Sequence, residues 1–166
     1  MSQRRVVADS SSIILLHKVK LFETFTHLYY MVITGQVYGE LLAGAKEGST
    51  QLRSWLHERV EQCILNGSLA GMGRGESSVI ALYLEGGGDF VLLDDKKGAM
   101  YCKKLGIPFI NSLLVPRILY FAGVINEVTM QEATRLLIKE GYYSPQIIKK
   151  AENITVNDLH HFFPHA

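Results

Sequence analysis

The sequence predicts an α/β protein: a single-domain α/β/α sandwich around a central, mainly parallel sheet. Three observations predict it. Short apolar runs at 4–8, 29–33, 90–93 and 107–110 alternate with helical stretches of about ten residues, the spacing of parallel crossovers. The runs are almost continuously apolar, as strands covered on both faces are. The joints between them carry helix-capping residues, with Asp9, Thr34 and Ser112 at entries and "EGGG" at an exit.

Taken in order, "RRVVA" is a strand opening into "DSSSIILLHKV", a helix that Asp9 or one of the serines can cap. "LFETFTHL" makes a short helix before the strand 29–33. Thr34 caps a helix over 36–45, and a further helix is expected near 50–60, with Leu52, Leu56 and Val60 on one face. Residues 62–65 are a strand candidate. "GMGRG" introduces a helix over 76–85, followed by strand 90–93, helix 96–105, strand 107–110 and a helix over 112–122. Residues 127–141 and 144–151 read as helices. The domain is expected to run over 1–152, with 153–166, ending in "HHFFPHA", as a loosely held tail.

The 166 residues suffice for one compact core, and a formal net charge of +1 provides no global attraction to polyanions. Contact with nucleic acid must therefore come from a local patch. No apolar run approaches the length of a membrane span, no signal-peptide core follows the start, and the expected location is the cytoplasm. Cys63 and Cys102 lack metal-type spacing and read as reduced core thiols. His17, His27 and His57 read as packing or surface residues, and His160, His161 and His165 as a loose cluster at the tail.

The acids stand where chemistry is expected. Ligands of a parallel sheet bind beyond the carboxyl ends of its strands, and Asp9, Asp94 and Asp95 all fall there. Asp9 is not needed as a cap where three serines follow. Glu40, in "VYGELL", lies beside the apolar stripe of its helix, and by itself reads as a solvated acid. Glu76 occupies a first helical turn, where the helix dipole favours any acid. Capping explains one of Asp94 and Asp95 and leaves the other over, unless a cation compensates it. Oxygen ligands without His or Cys suit Mg²⁺ or Mn²⁺ and disfavour zinc. Lys96 and Lys97, each followed seven residues later by another lysine (Lys103 and Lys104), form two rows along one helix, which is either a solvated face or a guide for phosphates. Arg74 can serve the same purpose.

"VVADSSSIILL", "VYGELL", "GRGESSVIALYLE" and "FVLLDDKKGAMYCKKLGI", in that order, resemble the PIN-domain superfamily over most of the chain. The resemblance implies a Mg²⁺- or Mn²⁺-dependent ribonuclease acting on single-stranded RNA, as in toxins held by a small antitoxin protein. It implies site acids at Asp9, Glu40, Glu76 and Asp95, with Asp94 sharing or replacing the role of Asp95 and Ser11 assisting. Glu76 stands where an Asp is usual, and "INSLLVP" replaces a Gly-Thr-Leu-Gly turn. The alternative is a PIN-like module that binds nucleic acid or protein without cutting. A receiver domain would need its acidic pair after the first strand, and a dehalogenase-type phosphatase an Asp where Ser11 stands. A homodimer through the C-terminal helices is expected from the apolar content of "SLLVPRILYFAGVI".

Overall fold

The computed structural model describes residues 2–43, 52, 54, 60–61 and 74–166. Among the described residues five parallel strands form one sheet: β1 (Arg4–Ala8), β2 (Tyr29–Thr34), β3 (Val60–Glu61), β4 (Phe90–Leu92) and β5 (Phe109–Ile110), in the spatial order β3-β2-β1-β4-β5. β1 lies at the centre, and its second half is buried from both sides. Val6, Val7 and Ala8 are wholly inaccessible and pair with Met31 and Val32 on one side and with Phe90, Val91 and Leu92 on the other.

The helices are α1 (Ser10–Lys18), α2 (Phe22–Leu28), α3 (Gly35–Ala43), α4 (Arg74–Leu84), α5 (Lys96–Leu105), α6 (Val115–Phe121), α7 (Glu127–Glu140), α8 (Pro145–Glu152) and α9 (Val156–Leu159). α4 packs on β1, β2 and β4 and beside α3 and α5. Its buried Val79 and Ile80 join the sheet core. Thr34 caps α3 as its position suggests, its hydroxyl accepting from Val37 N at 3.2 Å.

Several boundaries differ from expectation for identifiable reasons. β5 begins at Phe109 because Pro108 has no N–H for the ladder; its carbonyl still accepts from Val91 N at 3.0 Å. α4 starts at Arg74, before Glu76. Val60 belongs to β3, paired with Ile33, rather than to a helix end. The strand candidate at 62–65 lies outside the described residues, as do Cys63, His57 and most of the helix expected near 50–60. The helix expected over 112–122 is divided into a 3₁₀ turn, Ser112–Leu114, and α6. Its cap is Asn111, whose side chain accepts from Leu114 N, and this frees Ser112 to turn inward.

The tail is tied down rather than loose. Tyr29 Oη donates to Phe162 O at 2.6 Å, the Arg4 guanidinium donates to His161 O and Phe163 O, and Phe162 meets Phe90 edge to face at 5.2 Å. Of the apolar segment that suggested a dimer, Leu113, Val115, Ile118 and Leu119 are buried within the chain, with α7 packed across α6, while Val124 is exposed. Among the described residues no helix is long and apolar enough to cross a membrane.

Candidate active site

From β1 the chain proceeds outward to β2 and β3 on one side, then returns to place β4 and β5 on the other. The carboxyl ends of β1 and β4 therefore flank the point where the strand order reverses, which is where open parallel sheets leave a crevice for ligands. Asp9 follows β1 and Asp94 lies just past β4, and Asp9 N donates to Leu92 O at 3.0 Å across the junction.

Asp9 caps α1, its Oδ1 accepting from Ser12 N at 2.8 Å. Oδ2 receives a long contact, 3.4 Å, from Asp94 N, and the Ser12 side chain also bonds the carboxyl. The side chain is 3% exposed. Burial first, and next the charge of Asp94, push its carboxyl up to about 7. No basic side chain contributes to its electrostatics, so among the described residues the buried acid has no countercharge.

Asp94 is half-buried and held by four donors. Oδ1 accepts from Ser112 N at 3.0 Å and from Tyr143 Oη at 2.7 Å; Oδ2 accepts from Ser12 Oγ at 2.6 Å and from Ser112 Oγ. A carboxylate offers about four lone-pair sites, so this group is saturated. Asp95 has the other task. As the residue immediately before α5 it is the N-cap, accepting from Gly98 N at 2.7 Å. The doublet thus divides: Asp94 faces Asp9, and Asp95 holds a helix.

Glu40 reaches the site from α3. Its Oε2 accepts from Ser10 Oγ at 2.8 Å, directly beside Asp9. Its carboxylate lies against the bare Cα of Gly75, where a Cβ would come within 2.8 Å of Glu40 Cδ. Gly75 precedes Glu76, so Glu40 bridges from the start of α1 to the start of α4. A hydrogen-bond chain fixes α4 there. Ser78 gives its proton to Gly75 O at 2.7 Å, so Thr34 must be the donor in the 2.6 Å Thr34–Ser78 pair. Glu76 is half-buried in the first turn of α4.

Lys96 and Lys97 are exposed in the first turn of α5, beside the acids. Lys103 stands in the last turn, roughly 10 Å further along the axis, where a cation complements the helix dipole instead. Arg74 opens α4. Ser11 is exposed, and it is Ser12 that bonds both Asp9 and Asp94. Tyr143 and Ser112 were not anticipated as site residues. Ser112 carried a weak signal as a polar residue after a strand. Tyr143 carried none, being 49 residues from Asp94 in a loop.

Among the described residues no three acidic, His or Cys side chains stand together as a ready metal cage. The donor chemistry nonetheless fits a hard divalent cation: Asp9, Glu40 and Glu76 offer carboxylate oxygens, and the uncompensated Asp9–Asp94 pair is where a positive charge is missing.

Residues 5–154 match the family model DUF3368, described as a PIN domain. The match takes in most of the chain, and the chain belongs to the PIN-domain superfamily. No curated protein and no solved structure matches it significantly. PIN domains are generally nucleases, they typically use divalent metal ions, and nucleic acid is their usual substrate.

Proposed function

We propose that the protein is a divalent-metal-dependent ribonuclease hydrolysing phosphodiester bonds in single-stranded RNA. The observation that carries the reading is Asp9, buried beside Asp94 at the reversal point of the sheet with no countercharge among the described residues. Asp9, Glu40 and Glu76 would hold Mg²⁺ or Mn²⁺, with Asp94 taking the place at the strand end that the resemblance gives to Asp95. When bound, the ion supplies an acidified water and screening of the non-bridging phosphate oxygens.

The chain's own groups do the rest. Asp9 presents Oδ2, whose backbone contact from Asp94 N is long. Ser10 orients Glu40, and Gly75 gives that carboxylate room at the start of α4. Lys96 and Lys97, exposed in the first turn of α5 beside the acids, draw in the phosphate backbone, and Arg74 is proposed for the same task from its place in the sequence. Role as a toxin with an antitoxin partner is proposed on the family resemblance. Growth arrest on expression, relieved by Asp9→Asn, is the test of that part.

The catalytic reading itself is tested with purified protein. Single-stranded RNA should be cut with Mn²⁺ or Mg²⁺ and left intact with EDTA, and Asp9→Asn should abolish cutting. A folded protein that binds RNA but cuts it in neither metal would be the non-catalytic module instead.

A further inference from the structure

We infer that Tyr143 is a positioning residue of this centre, its hydroxyl locking the Asp94 carboxylate against Asp9. The inference rests on the metal-site reading above and extends the site to the C-terminal helices. Tyr143 lies in the loop between α7 and α8, far in sequence from every acid of the site, yet its Oη donates to Asp94 Oδ1 at 2.7 Å. The two tyrosines of the loop are used in opposite ways. Tyr142 is fully exposed, while the ring of Tyr143 packs against the core.

The backbone is shaped for that placement. A Cβ at Gly141 would lie 3.0 Å from Tyr143 Cδ2 and 2.9 Å from Leu137 O, so only a glycine lets the ring fold back over the end of α7. Burial and the charge of Asp94 raise the Tyr143 hydroxyl well above its usual range, so it remains a donor at any working pH. Ser12, Ser112 and Tyr143 come from three separate segments and together fill every acceptor site of Asp94. A carboxylate held in this way has one orientation, and it acts as a fixed negative charge beside Asp9 rather than as a mobile ligand. Through Ser12, which bonds both carboxylates, and through its own N–H, Asp94 stands behind Asp9, and groups that stand behind a metal's ligands commonly govern its affinity by 10–100-fold.

The test is Tyr143→Phe, which keeps the ring and removes the donor. Mn²⁺ binding is measured by titration calorimetry without RNA, and stability in EDTA by urea unfolding. The expected result is an Mn²⁺ Kd raised about 10-fold or more in a variant that remains folded. Gly141→Ala, which displaces the ring without altering its chemistry, should shift the Kd in the same direction and serves if Tyr143→Phe does not fold. A wild type that takes up Mn²⁺ with variants of unchanged Kd but lower stability would reduce Tyr143 to a structural hydrogen bond and overturn the inference alone. A wild type that takes up no Mn²⁺ would overturn the metal-site reading and the inference together.

Discussion

A carboxylate as deeply buried as Asp9, with Asp94 next to it, weakens the metal-free chain. Its acid form is favoured up to about pH 7 in the fold, against an ordinary carboxyl near 3.8. Between those values the folded state binds more protons than the unfolded one. Stability is therefore greatest at the acidic end and falls as pH rises towards neutrality. In EDTA at pH 8, Asp9→Asn should raise stability by about 2–4 kcal/mol in urea unfolding, since Asn still caps α1 and has no charge to bury. A destabilised Asp9→Asn protein at that pH would show that the pair is compensated in some other way. The Asp94–Asp95 doublet calls for opposite outcomes. Asp95→Ala should cost about 1 kcal/mol, as loss of a cap does, with cleavage retained. Asp94→Asn should abolish cleavage and lower stability by about 1–3 kcal/mol, because an amide leaves donors around it unpaired. From the residues alone the doublet read as one cap and one remainder, and the resemblance put the site role on Asp95, which is the N-cap. Which acid was which depended on where α5 begins, and a single residue decides that.

Each helix that supplies an acid is held at its start by polar side chains at strand ends. Thr34, Ser78 and the Gly75 carbonyl connect β2 to α4, and Ser10 connects α1 to Glu40 on α3. This arrangement makes Gly75→Ala informative. Alanine improves helix propensity by up to about 1 kcal/mol, but its Cβ would occupy the space of the Glu40 carboxylate. The melting temperature should therefore change little or rise, while kcat falls about 10-fold or more; unchanged kcat would mean that Glu40 is not needed where it lies. The elements themselves were legible because parallel strands are apolar throughout and their joints carry caps. The boundaries that shifted did so through single groups: the missing N–H of Pro108, and Asn111 taking the cap that Ser112 seemed to offer. Tyr143 was illegible for a different reason, since a loop tyrosine acquires its partner only when α7 and α8 are packed.

The molecule has two unlike ends. The acids gather at the carboxyl ends of the strands, and the opposite end, where Arg4, Tyr29 and Phe90 begin β1, β2 and β4, is closed by the tail. Deleting residues 160–166 would strip Phe162 from Phe90 and leave the buried Tyr29 hydroxyl without its acceptor. The expected loss is about 3–5 kcal/mol from lost apolar burial and an unpaired hydroxyl. Mn²⁺ affinity should be unchanged, because the deletion acts at the far end of the sheet. A loss of affinity equal to that of Tyr143→Phe would mean that the two ends are coupled.

The position of β1 in the sheet also sets an order in time. Val6 pairs with Phe90, and Asp94 waits for Tyr143. A chain growing from its amino end thus carries Asp9 long before Asp94 can stand beside it, and Glu40 before Gly75 can receive its carboxylate. Pairings so distant in sequence are slow to form. The nascent polypeptide carries a split centre until residue 143 has been made, and only then can Asp94 take the last of its partners.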